Sequence, residues 1–89
     1  MKYTKEEASA KYKNVIFKGG VDIGENVSIS YNIIIGDHVE IGDNCRICGF
    51  VEIGDHVLIG DHVTVGPGVE IGDDAVINDG SFLFEICLF

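Results

Sequence analysis

The side chains able to move a proton or hold a metal are few in this sequence. Three histidines, His38, His56 and His62, lie 18 and 6 residues apart. An imidazole changes charge near neutral pH, so any one of them could act as a general base, and together they could ligate a metal. Cys45 and Cys48 make a single CxxC, and Cys87 stands apart. A structural zinc site needs four ligands and one CxxC supplies two, which favours small core or corner residues over metal ligands. Arg46 is the one basic residue after Lys18.

The elements that must position these residues follow from a repeat. Stepping by six from Val15 reaches Val21, Val27, Ile33, Val39, Cys45, Val51, Val57, Val63, Val69, Ala75 and Ser81. Two residues after each stands Phe17, Ile23, Ile29, Ile35, Ile41, Ile47, Ile53, Ile59, Val65, Ile71, Ile77 or Leu83. Twelve hexads thus run from 15 to 86 without an insertion or deletion, a register that marks a solenoid. Residues i and i+2 share one face of a short strand, and the residue between them points outward. The next three residues turn a corner, where Gly, Asn or Asp relieves the backbone. A three-residue strand cannot bury itself, so the fold must stack coils about 4.8 Å apart around one continuous core. Arg46 falls between Cys45 and Ile47 and points outward, where it could meet a phosphate.

All three histidines fall at the last turn position. That position is filled elsewhere by Gly20, Asn26, Asn32, Asn44, Gly68, Asp74 and Gly80. These residue types, and His, are enriched where φ is positive. One backbone requirement therefore accounts for all three imidazoles without any chemistry.

Charge narrows the partners. Net charge is -9, with residues 1–14 at +2 and residues 15–89 at -11. An acidic body of this kind repels nucleic acid and anionic lipid and is a poor surface for a phosphate-rich ligand. The longest apolar run is too short to span a bilayer, and Met1 to Lys13 carries no signal-peptide pattern, so the expected compartment is the cytoplasm. Residues 1–14 form an N-terminal cap and 15–89 the repeat domain. Thr4-Lys5-Glu6-Glu7 fits a capping box, so a short helix over about 5–13 is expected to close the first coil and hide its sheet edge. At the other end, Phe82, Phe84 and Ile86 take positions that are mostly polar or glycine in earlier hexads. Cys87 and Phe89 extend the inward register into a fifth coil, so truncation, or burial of this end against another chain, is expected.

The period alone fixes neither the handedness nor the number of faces. The pattern resembles the hexapeptide-repeat acyltransferases, which implies an all-β, left-handed parallel β-helix of four 18-residue coils with the short helical cap. On that reading His38 and His56 stack at one corner and His62 sits at the next. Two corners become acidic columns whose carboxylates are expected to be solvated turn residues. Within the family, Ile33 to Phe82, and above all "CGFVEIG" (Cys48–Gly54) and "VTVGPGVEIGD" (Val63–Asp73), is similar to sialic-acid O-acetyltransferases and bacillosamine N-acetyltransferases.

That resemblance implies acetyl transfer from acetyl-CoA, as co-substrate, to an amine or hydroxyl of a sugar or small molecule. It also implies a homotrimer with sites in the grooves between chains, and no metal. A base is needed near the nucleophile, and backbone N–H groups at corners can hold the oxyanion. The branch keeps its His-Asp pair where this chain has Tyr31 and Asn32, and a second His falls on Glu40. His38 is then the first substitute base, with Tyr31 as the other candidate, and Arg46 the candidate contact for the cofactor. The missing pair makes a degenerate member, or a non-catalytic trimerisation scaffold, the competing expectation. A metal site like that of the γ-class carbonic anhydrases is a lesser one, because spacings of 18 and 6 do not reproduce its ligand pattern. Apolar residues at outward positions, Ile16 with Ile34 and Leu58 with Val76, are the expected contact surfaces of the trimer.

Overall fold

The computed structural model describes residues 1–84 and shows a parallel β-helix of about four coils with three faces. The first face stacks β2 (Val15–Phe17), β5 (Ile33–Ile35), β8 (Glu52–Ile53) and β11 (Glu70–Ile71). The second stacks β3 (Val21–Ile23), β6 (Val39–Ile41), β9 (Leu58–Ile59) and β12 (Val76–Ile77). The third stacks β4 (Ser28–Ile29), β7 (Arg46–Ile47), β10 (Thr64–Val65) and β13 (Phe82–Leu83). Every parallel pairing within a face joins residues 18 apart, as in Val21 with Val39 and Thr64 with Phe82. No helix among the described residues is long and apolar enough to cross a membrane. The fifth-coil residues Cys87 and Phe89, and the corner pair Glu85-Ile86, lie outside the described residues.

The inward residues form the core the repeat requires. Phe17, Ile35, Ile47, Val51, Val57, Val63 and Val65 are buried, each from a different hexad or from opposite ends of one strand. Among the described residues no polar or charged residue is buried with them. The cap is held by a capping box, with Thr4 accepting from the Glu7 N–H and Glu7 accepting from the Thr4 N–H. The helix α1 runs Lys5–Lys11, two residues shorter than the pattern implies, because Tyr12 leaves helical geometry at φ -109° and ψ 104°. Ala8 is fully buried, and Tyr12 lies 6.2 Å from the Phe17 ring, so the cap closes the apolar mouth of the first coil.

The sheet edge is covered differently from the expectation. A two-residue strand ahead of the helix, β1 (Lys2–Tyr3), pairs antiparallel with β3 and extends the second face. Two residues carry no periodicity, so nothing in the sequence announces this strand.

The corners carry the second correction. Their aspartates are bonded into the fold rather than merely solvated. Asp55 Oδ1 accepts the Asp37 N–H at 2.8 Å, and Asp73 Oδ1 accepts the Asp55 N–H at 2.7 Å. At the next corner Asp43, Asp61 and Asp79 accept from Glu25, Asp43 and Asp61. Each carboxylate reaches back one coil and satisfies an amide that the coil's turn leaves unpaired. The reach needs space: a Cβ at Gly42 would collide with the Asp61 carboxylate and the Gly60 backbone. This accounts for the recurring Gly-Asp pair.

The last turn position is left-handed almost throughout. Asn26, Asn32, His38, Asn44, His56 and His62 have φ between 56° and 58°. Gly20 departs from the rule and is not in that region. Phe50 does adopt it, at φ 60°, although a bulky side chain there strains the backbone by about 1–3 kcal/mol.

Candidate functional site

Three corners join the three faces, and they differ in chemistry. The first corner, between the first and second faces, carries Asp37 and His38, then Asp55 and His56 one coil on. Asp37 Oδ2 lies 2.9 Å from His38 Nδ1. The imidazole is therefore oriented by a carboxylate, with its Nδ1–H donating, which leaves Nε2 as the basic nitrogen. The His38 side chain is 69% exposed. Its ring stacks on that of His56, 5.1 Å away and 4° from parallel. The left-handed turn sets both rings at the same angle, and the 18-residue register sets their spacing.

Beside His38 lies an open depression of about 380 Å³, lined by Lys2, Tyr3, Asp22, Glu40 and His38. Two of its walls come from β1, which brings Lys2 and Tyr3 to the edge of the second face. Sequence reading missed both residues, since the N-terminal segment reads as polar leader to a helix. The signal present was the run of lysines that makes residues 1–14 basic over an acidic body.

His62 does not join this group. It occupies the second corner, where its Nε2 lies 3.4 Å from Asn44 Nδ2. The three histidines thus divide between two corners. Among the described residues no cluster of three or more His, Cys, Asp or Glu side chains is arranged to hold a metal ion.

Tyr31 and Arg46 lie elsewhere. Tyr31 is at the third corner, between the third and first faces, 5.9 Å from the Phe50 ring of the next coil. Arg46 is exposed on the third face, with Ser28 and Thr64 as its register partners on either side. Within one chain the structure brings Tyr31 and Arg46 to the same side of the prism and puts His38 on another edge. Cys45 is buried, and its thiol donates to the Gly60 carbonyl at 3.0 Å. Burial, foremost, pushes that thiol above its ordinary value. Cys48 is half-buried at the third corner.

The third corner also lacks the aspartate ladder. At the other two corners the middle residue's N–H goes to a carboxylate of the next coil. Here the positions of those carboxylates hold Gly49 and Pro67, which have no side-chain acceptor, and Ser30 and Cys48 stand where the other corners have the glycine that the carboxylate packs over. The N–H groups of Tyr31 and Gly49 consequently find no partner among the described residues. At the first corner His38 donates to the Gly20 carbonyl and Asp37 to the Asp55 carboxylate. Unpartnered corner amides thus occur at the first corner, at Gly19, as well as at the third.

A family model described as bacterial transferase hexapeptide (six repeats) matches residues 32–66 and 50–84, which together make up more than half of the chain. The search of curated proteins finds no match, and neither does the search of solved structures. The matched stretches run from the end of the first coil into the fourth and take in both stacked histidines and the third corner. The chain belongs to the bacterial transferase hexapeptide family, and its coil is the left-handed β-helix of that family.

Proposed function

We propose that this chain is an acyltransferase that moves an acetyl group from acetyl-CoA to a hydroxyl or amine of a sugar or small molecule, in the cytoplasm, with His38 as general base. One observation carries the reading: the 2.9 Å contact between Asp37 and His38 on an exposed corner above an open depression. The carboxylate fixes the tautomer and steadies the imidazolium that forms. His38 Nε2 takes the acceptor's proton as its oxygen or nitrogen bonds to the thioester carbonyl carbon. The tetrahedral intermediate then expels the thiolate, which takes that proton back from the imidazolium. Acyl-CoA is common to the family's transferases. Arg46 is the basic side chain of the coils beyond Lys18 that meets its phosphates.

Members of the family are commonly trimers, and a homotrimer would pair the first face of one chain with the second face of another. Ile16 and Leu58 are exposed, as the apolar contact surface requires. The pairs lie at different heights, however: Ile16 and Ile34 are in coils one and two, Leu58 and Val76 in coils three and four. Matching them needs an axial offset of roughly 10 Å. A coaxial trimer sets Ile34 opposite the height of Glu40, so a trimer of this chain must tilt its protomers or draw contact area from elsewhere.

The competing reading is a non-catalytic β-helix scaffold. The separation of His38 from Tyr31 and Arg46 favours it. Incubating the chain with acetyl-CoA and a panel of amino and neutral sugars decides between them, by thiol release and product mass. Acetylated sugar supports the transferase; thiol release no faster than without protein, for every acceptor, leaves the scaffold.

A further inference from the structure

The closure of the first coil is incomplete on one side. Each of its three faces leaves a strand edge toward the N-terminus, and two of these edges are covered. Helix α1 packs against β2, and β1 pairs with β3, where the Ile23 N–H donates to the Met1 carbonyl at 2.8 Å. β4 pairs with β7 alone and ends its sheet. The Ser28 and Ser30 N–H groups donate to the Cys45 and Ile47 carbonyls of the following coil, both at 3.0 Å. Alternation along the strand then turns the N–H and C=O of Ile29 the other way, where they find no partner among the described residues. Burial gives the same answer independently. Val15, Phe17, Val21 and Ile23, inward on the first two faces, are buried, whereas Val27 and Ile29, inward on the face of β4, are only half-buried. Cys45 and Ile47, one coil further on, are buried.

A cavity of about 600 Å³ adjoins this edge, lined in part by Tyr3, Lys11, Tyr12, Ile23, Glu25 and Val27. The Tyr3 and Tyr12 rings meet edge to face at 6.5 Å. Lys11 Nζ donates to the Tyr3 hydroxyl at 3.0 Å and lies 5.3 Å and 5.7 Å from the two ring centroids. That ammonium has no carboxylate partner among the described residues. We propose that the open edge of β4 docks an acidic, extended segment of another protein, which adds as a strand and sets apolar residues at alternate positions over Val27 and Ile29. The free backbone groups require a strand, because a helix satisfies its own N–H and C=O groups and a small ligand cannot continue the ladder. Alternation follows, since side chains i and i+2 of an added strand share the face over the coil's interior. Charge selects acid: residues 1–14 carry +2 on a body of -11, and Lys11 is held in place at the groove. Glu25, the one carboxylate of the lining, has an exposed side chain that makes no bond among the described residues, so it can swing into water. Nothing in this docking depends on acetyl transfer.

The probe is a blocked pentapeptide with valine at its second and fourth positions, threonine between them and glutamate at both ends, so that either strand direction brings one glutamate toward Lys11. Amide exchange and nitrogen–proton NMR of the native chain follow its binding, without acetyl-CoA. In the free chain the Ile29 N–H is expected to exchange at least about a hundredfold faster than the Ile47 N–H. Peptide at millimolar concentration is expected to shift the Val27 and Ile29 amides and to slow the Ile29 exchange about tenfold or more. N-methylation of either alternate set of peptide amides separates the two edges of the added strand: one set is expected to abolish the shifts and the other to leave them. A lysine-ended peptide is expected to bind more weakly, and Lys11→Gln to weaken the glutamate peptide about two- to fivefold at an unchanged unfolding midpoint. If Lys11→Gln does not fold, the lysine-ended peptide carries the charge test. The proposal is overturned by an unshifted Ile29 amide, by equal losses from both methylated sets, by a lysine-ended peptide that binds as well, or by undiminished binding in a folded Lys11→Gln chain. An Ile29 N–H as protected as that of Ile47 in the free chain also overturns it, since the chain itself or a second copy then covers the edge.

Discussion

The Asp61 carboxylate accepts the backbone N–H of Asp43, one full coil back, at 2.8 Å. The same bond recurs at Asp43, Asp55, Asp73 and Asp79. Asp61→Ala removes the acceptor and leaves the amide to water at an exposed corner, so it should cost about 0.5–1.5 kcal/mol. Glu70, an exposed carboxylate outside the ladder, gives the control. Urea unfolding of both alanine variants measures the difference. Equal midpoints would mean that water replaces the carboxylate at no cost.

Ile53 is 3% exposed and stacks in register between Ile35 and Ile71. Ile53→Asp puts an unpaired charge into a core that holds no polar side chain, and the chain is expected to be unfolded. Circular dichroism reads this directly. A spectrum and a thermal midpoint like the native ones would show that Ile53 does not face a core.

The coil was legible because each hexad repeats the same two requirements, an inward pair and a relaxed turn. Val63 and Val65, or Val39 and Ile41, could be assigned inward from spacing alone. The strand Lys2–Tyr3 was not legible, since its pairing with β3 depends on where the helix returns the chain and not on any local pattern. The aspartates were read as solvated because their partners are 18 residues away, and a turn residue gives no sign of bonding outside its own turn. His38 was legible as a turn residue and as a candidate base, but its contact with Asp37 rests on a rotamer. Phe50 was passed over, because a ring at a left-handed position contradicts the rule that explains its neighbours.

Two groups make the fold sensitive to alkali. The Cys45 thiol is raised above its ordinary 9.0, first by burial and then by Asp61 and Asp43. The Tyr12 hydroxyl is raised above 10.0, again by burial first. A raised acid is held neutral by the fold, so its contribution is fully present below the unfolded value and is lost as pH rises through the folded one. Stability should therefore fall from about pH 9 upward, and Cys45→Ala should flatten the first part of that fall. Denaturant midpoints between pH 7 and 11 test it. An alkaline loss unchanged in Cys45→Ala would assign it to other groups. A thiol reagent at neutral pH should also modify Cys48 well before Cys45.

Light scattering at micromolar concentration settles the association. The native chain is expected at three times the chain mass, and an Ile34→Glu, Leu58→Glu double variant at a lower one. A monomeric native chain ends the trimer. Association that survives both substitutions moves the contact off these faces.

The most direct test of the central claim compares His38→Asn with the native chain in acetyl transfer. Asparagine accepts the left-handed backbone that His38 holds at φ 56°, so the coil should keep its stability while the base is removed. His56→Asn makes the same change one coil along and serves as control. The expected result is a fall in kcat/KM of about 10²–10⁴-fold for His38→Asn, at an unchanged unfolding midpoint, with His56→Asn within a few-fold of native. Acetyl transfer at the native rate by a folded His38→Asn chain would contradict the assignment of His38 as the base.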